Sequence, residues 1–261
     1  MRQLRNHTLV YYQFDGLSQY SNVYHGIFTR LGGVSRAPFE SLNLSRSVGD
    51  EAETVQENNR RMLAIFDATP ARTVTAWLVH GAAVAVVDRN DAGSYRNHTD
   101  AIITNDPSIT LTMRFADCAP IVFFDPVRHA LGIAHAGWRG VAANIVQAMV
   151  HAMRTAFQSD PQNLWAGIGP CISVDRYRVG PEVIAAVRAA CPPASPITRS
   201  QPDGSTHLDL NAAIDSQLRA CGLTQIEVSG QCTATNTREW FSHRAENGKT
   251  GRFGVALGLH E

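Results

Sequence analysis

Apolar positions recur along this chain in two rhythms. Short alternating or continuous apolar runs, bounded by Gly, Pro and polar clusters, predict strands. They are TLVYYQF at 8–14, NVYHGIF at 22–28, TVTAWLVH at 73–80, AAVAVVD at 82–88, AIIT at 101–104, ITLTMR at 109–114, IVFFD at 121–125, LGIAHA at 131–136, LWAGIGPCI at 164–172, QIEVSGQC at 225–232 and RFGVALG at 252–258. The second rhythm is helical. A helix is predicted from Asp50 to Phe66, with Asp50 as its N-cap and Val55, Met62, Leu63 and Phe66 facing inward. A second starts near Arg139, where Val141, Ile145, Met149, Met153 and Phe157 line one stripe and Ala142, Val146 and Val150 widen it. Pro181 opens PEVIAAVRAA at a first helical position, and LDLNAAIDSQLRACG is stopped by Gly222. The proline-rich CPPASPITRSQPDG stretch between these last two is the best candidate for a mobile loop. Many short strands with helices inserted among them predict an α+β fold rather than a regular doubly wound sheet. The expected architecture is mixed β-sheets packed as a sandwich-like core flanked by helices (α/β/β/α-like), in a single domain over residues 1–261.

Composition narrows the partners. Hydrophobic residues make up 44% of the 261 and charged ones 18%, which is globular. Positive and negative residues balance at 23 each, so net charge gives no footprint for nucleic acid or an anionic membrane, and a small molecule is the expected partner. Lys249 is the one lysine, which excludes a Schiff-base or P-loop lysine before it. The five cysteines, Cys118, Cys171, Cys191, Cys221 and Cys232, include no CxxC pair and point to a reducing compartment. The N-terminus lacks an apolar signal region, and no apolar run of about 18 residues occurs, so a cytoplasmic location is expected.

Candidate chemistry concentrates between Ala116 and Gly140. ADCAP places Cys118 at the start of one strand; LGIAHAGWRG places His135 at the end of another, followed at once by Gly137 and Gly140. His80 closes an earlier strand, beside Gly81. Three N/S ligands with a fourth position open is the layout of a catalytic zinc site, although the spacing forms no compact HExxH or CxxC pair. The helix start after His135, with Arg139 in its first turn, is a possible anion seat or a plain strand-to-helix turn. Arg30, in the TRLGGVS loop, admits the same two readings.

Several motifs together are similar to those of the YfiH-type family: FTRLGGVS at 28–35, SLNL at 41–44, VHG at 79–81, ADCAP at 116–120, AHAGWRG at 134–140, IGPCI at 168–172 and the late FSHR and TGR segments. That family carries the names polyphenol oxidase (laccase-domain) protein, purine nucleoside phosphorylase and peptidoglycan editing factor. The resemblance spans nearly the whole chain and puts the family's single metal site on His80, Cys118 and His135. One position departs: Leu78 stands where members often have Gln. The resemblance implies phosphorolysis of adenosine, inosine, guanosine and methylthioadenosine, with adenosine deamination besides, and so purine nucleosides and phosphate as substrates. Arg30, Arg139 and Arg244 are then the candidates for phosphate. Asp100 and Asp117 are candidates for proton transfer, or equally for caps at a turn and a strand end. Cys171 is expected to be buried. Two other chemistries fit parts of the pattern. A metal-free peptidoglycan amidase would use Cys118 as nucleophile and His135 as base. A copper-dependent polyphenol oxidase is the historical label, but the His-x-His and His-Cys-His ligands of multicopper laccases do not occur, so one trio could hold a single copper at most, displacing zinc in vitro.

Overall fold

The computed structural model describes residues 1–260. In chain order its elements are β1 (Arg2–Asn6), β2 (Leu9–Gln13), β3 (Val23–Phe28), α1 (Ala52–Ala64), β4 (Thr73–Ala76), β5 (Val84–Val86), β6 (Tyr95–Arg96), β7 (Ala101–Thr104), β8 (Thr110–Phe115), β9 (Ala119–Asp125), β10 (Ala130–Ala136), α2 (Trp138–Ala142), α3 (Ile145–Phe157), β11 (Trp165–Ile168), α4 (Pro181–Ala189), β12 (Thr198–Ser200), β13 (Thr206–Leu208), α5 (Leu210–Ala220), β14 (Gln225–Val228) and β15 (Phe253–Leu259). The strands form a seven-stranded sheet in the order β1-β2-β3-β15-β8-β4-β6, a six-stranded sheet in the order β14-β11-β9-β10-β7-β5, and a small β12-β13 hairpin.

Strand side chains alternate between faces, and here both faces of the central strands are buried. On β9, Val122 and Phe124 enter the core between the two sheets, while Ile121 and Phe123 enter a second core under the helices. That second core is closed by apolar residues of α2, α3, α4 and α5. On β15, Phe253, Val255 and Leu257 face the inter-sheet core, whereas Ala256 turns outward to pack with Met62 and Leu63 of α1. The layers therefore run α1, seven-stranded sheet, six-stranded sheet, remaining helices. This is the expected α/β/β/α arrangement, held by roughly 1.5–3 kcal/mol for each large apolar side chain removed from water.

The 73–80 and 82–88 runs form two strands, as expected: β4 joins the seven-stranded sheet and β5 the other, so the loop carrying His80 crosses between layers. Local expectations differ in three places. The helix predicted from Arg139 is two, because Asn144 sits in the left-handed region at φ 60° and breaks the stripe between α2 and α3. Asp50 is not the N-cap of α1; Glu51 is, and Asp50 instead accepts hydrogen bonds from Ser35 and Asn43. Finally, the proline-rich stretch contains β12, paired to β13, with Ile197 fully buried at its start.

Candidate active site

His80, Cys118 and His135 come together where the two sheets meet, with one ligand atom from each lying within 4.8 Å of the others. Each is delivered by backbone that has little freedom. His135 is the penultimate residue of β10, paired with Pro120 of β9, so the β9–β10 hairpin brings it beside Cys118 at the start of the neighbouring strand. His80 stands in the left-handed region at φ 61°, a conformation costly for a non-glycine residue. Asp100 holds it there. The Asp100 carboxylate accepts from the backbone amides of Val79 (3.2 Å), His80 (2.9 Å) and Gly81 (2.7 Å), and it also meets His135 Nδ1 at 3.1 Å. His135 thereby turns its other ring nitrogen, Nε2, toward Cys118.

Asp117 has a comparable role one residue before Cys118. It also adopts a left-handed backbone, at φ 81°. Its carboxylate accepts from the hydroxyls of Thr233 (2.6 Å) and Ser242 (2.7 Å) and from the amide of Arg244 (2.6 Å). Both carboxylates are buried and fully engaged. The structure thus places the two proton-transfer candidates as supports of the trio, outside the cavity wall.

Charge in the cluster is coupled. Burial alone would raise the Cys118 thiol, but the charge of His135 and hydrogen bonds from His135 and His80 outweigh it and bring the thiol down. Burial likewise opposes protonation of His135, yet the Cys118 charge and the Asp100 hydrogen bond raise it. A soft thiolate flanked by two imidazoles is a donor set suited to zinc or copper. Space agrees with the chemistry: a Cβ built on Gly137 would lie 2.7 Å from Cys118 Sγ and 3.5 Å from His80 Nδ1. The absence of a side chain there keeps the space beside the donors open.

The trio opens into a cavity of about 580 Å³. Its arginines are Arg46, Arg114 and Arg252, which pair with no carboxylate among the described residues, and the arginines nominated from the sequence are not in its lining. Arg30 is bound to Glu246, to the Thr237 and Glu40 carbonyls and against the Phe241 ring, which makes it a clamp between loops. Arg139 is exposed and stacks on Trp138 in a five-residue helix, away from the cavity lining. Arg244 donates to the Arg178 carbonyl and lies over Tyr177. Buried Asn43 organises the cationic end of the cavity. Its Oδ1 accepts from the amides of Ser45 (3.1 Å) and Arg252 (2.9 Å), tying the loop that carries Ser45, Arg46 and Ser47 to the start of β15. The SLNL and TGR segments were the available signal, since Arg46 stands two residues past the first and Arg252 closes the second. His243 also lines the cavity. Leu78 lines it too, where a Gln would have offered an amide. Cys171 is buried as expected.

The family model described as "Multi-copper polyphenol oxidoreductase laccase" matches residues 24–260. The chain belongs to this laccase-like family. It is 37% identical over 257 residues to "Purine nucleoside phosphorylase YlmD" of Geobacillus stearothermophilus, covering 94% of this chain and 93% of that one. To "Purine nucleoside phosphorylase YfiH" of Escherichia coli K12 it is 33% identical over 232 residues, covering 88% and 91%. The crystal structure of YlmD from G. stearothermophilus aligns with a TM-score of 0.93 at 33% identity, over 99% of this chain and 98% of that one. The likeness to the YfiH type drawn from the ADC and HAGWRG motifs therefore holds across sequence and fold. The family's printed description says multi-copper; among the described residues of this member, one group of three His, Cys, Asp or Glu ligands is clustered closely enough for a metal. Among the described residues, no helix is long and apolar enough to cross a membrane.

Proposed function

We propose that this protein is a zinc-dependent purine nucleoside phosphorylase acting on adenosine, inosine, guanosine and methylthioadenosine, with adenosine deamination as a further activity of the same site. The observation that carries the reading is the sharing of one cavity by a His₂Cys donor trio and unneutralised arginines beside serine hydroxyls. The names of the relatives support the substrate class.

The His₂Cys set with a fourth position free suits catalytic zinc, which when bound supplies Lewis-acid charge beside the reacting groups. The protein's own residues do the rest. Arg46 and Arg252, with Ser45 and Ser47, hold and orient phosphate, for which guanidinium forks and hydroxyls are well matched. A phosphate oxygen attacks C1′ of the ribose as the C1′–N9 bond breaks, and the base departs with that electron pair. Placement of the anion against a sugar developing positive charge is the main requirement. His243 is the imidazole on the cavity wall available to exchange a proton with the base. Asp100 and Asp117 act by position: Asp100 fixes the His135 tautomer and the His80 loop, and Asp117 fixes the backbone into Cys118.

The test is base release from inosine and adenosine with and without phosphate. Formation of ribose 1-phosphate and free base, dependent on phosphate, supports the reading. Base release that ignores phosphate, or no release from any nucleoside, contradicts it.

A further inference from the structure

Two large aromatic side chains at the mouth of this cavity are exposed without an evident structural reason: Trp77 is 54% and Tyr95 50% exposed. Exposed aromatics grouped on one concave surface mark recognition sites more often than chance. Their positions follow from the sheet. Tyr95 pairs with Thr75 in the parallel β4–β6 ladder, and the Trp77 amide extends that ladder by donating to the Arg96 carbonyl at 2.8 Å. Because Val74 and Ala76 face the inter-sheet core, alternation turns Thr75, Trp77 and Tyr95 to the opposite face. Arg114 of β8 projects there as well, since Met113 and Phe115 face inward; its guanidinium lies 5.6 Å from the Tyr95 ring centre and donates to the Ala76 carbonyl.

The same face therefore presents an ordered row. At β15 stands Arg252, joined through Asn43 to the Ser45–Ser47 loop; at β8 stands Arg114; past the end of β4 stands Trp77; and on the edge strand β6 stands Tyr95. Three interstrand spacings separate the first from the last, about 14 Å. A purine nucleoside with phosphate laid against its sugar has that kind of length, with an anion at one end and a flat apolar ring at the other.

We propose that Trp77 and Tyr95 form the platform on which the nucleobase stacks, with Tyr95 held by Arg114, so that the substrate lies along the sheet with its base at the β6 edge. This rests on the phosphorylase reading above and adds the orientation and the recognition residues to it. Stacking engages the face of a base and ignores its edge. Leu78, in the same wall, adds apolar surface and no edge-reading group. The platform consequently accepts 6-amino and 6-oxo purines alike.

Kinetics and binding of Trp77→Ala, Tyr95→Ala and Trp77→Phe test it. Loss of one stacking partner raises KM for adenosine and inosine by the same factor, about 10- to 100-fold, with kcat little changed, and Trp77→Phe restores most of the loss. Free adenine quenches indole fluorescence in the wild type and not in Trp77→Phe, since Trp77 alone of the four tryptophans lines the cavity: Trp165 and Trp240 are buried, and Trp138, partly buried under Arg139, lies outside the lining. Quenching by adenine in a protein that turns over no nucleoside keeps the platform and removes the phosphorylase. Nucleoside turnover with an unchanged KM in Trp77→Ala does the reverse, and a KM change for one purine alone replaces stacking by edge recognition.

Discussion

The Asp100 carboxylate touches both histidines of the trio, reaching His135 through its ring at Nδ1 (3.1 Å) and His80 through its backbone amide (2.9 Å). One buried group thereby sets the tautomer of one ligand and the loop conformation of the other. Asp100→Asn keeps the shape but replaces one carboxylate oxygen by a donor among donors. Metal affinity is expected to fall about 10- to 100-fold, measured by competition with a chromophoric chelator. A proton-transfer role for Asp100 would instead lower deamination while leaving affinity unchanged.

Gly137 sits where any side chain would strike the trio, its built Cβ being 2.7 Å from Cys118 Sγ. Its φ of −88° is open to other residues, so Gly137→Ala folds and the methyl group acts on the site alone. The expected result is loss of bound metal with thermal stability of the metal-free protein lowered by no more than about 1–3 kcal/mol.

The proposed phosphate site uses arginines that the sequence did not nominate. Arg46→Met and Arg252→Met are each expected to raise KM for phosphate by about tenfold or more, as a charge-assisted contact of roughly 1.5–3 kcal/mol is removed. Arg139→Met, on the exposed face of Trp138, serves as the control and leaves that KM unchanged. The reverse pattern would move the anion to the start of α2.

His25 gives the fold an acid-sensitive point far from the chemistry. It is 1% exposed, accepts from the Phe14 amide at 2.8 Å, and burial, with a smaller contribution from Arg2, pushes it down to about 3. As pH falls below about 6.5 the unfolded chain takes up a proton that the folded chain refuses until about 3. Stability from this residue is therefore intact above 6.5 and is lost between 6.5 and 3, at about 1.4 kcal/mol per pH unit. His25→Leu is expected to lose about 1–3 kcal/mol at pH 7.5 through the orphaned Phe14 amide, yet to show a shallower decline toward pH 5 in urea midpoints.

The layered fold was legible because its strands are buried on both faces and announce themselves as continuous apolar runs, as IVFFD does in β9. The break at Asn144 was not, because Val141 and Ile145 stay in helical phase across it and a single left-handed residue leaves no mark in the stripe. In the site, strand-end positions beside glycines and a proline singled out His80, Cys118 and His135, and the family resemblance put the metal on the same three. The cavity arginines were obscure for a physical reason. Arg30 and Arg244 stand in motifs as prominent as those near Arg46 and Arg252, and only position in three dimensions separates them: Arg30 meets Glu246 and Arg244 turns to the Arg178 carbonyl and Tyr177, both off the cavity lining, while Arg46 and Arg252 line it. Tyr95 lay hidden in a polar loop because a two-residue edge strand has no periodicity to read.

The central claim is that one metal at His80, Cys118 and His135 serves nucleoside chemistry. Elemental analysis of protein purified without added metal, paired with product analysis after incubation with adenosine and phosphate, tests it in wild type and Cys118→Ala. About one zinc per chain, with adenine and ribose 1-phosphate or inosine formed, and both metal and products lost in Cys118→Ala, is the predicted result. Metal-free protein that converts nucleosides equally well, or cleaves a muropeptide through an alkylation-sensitive Cys118, would contradict it.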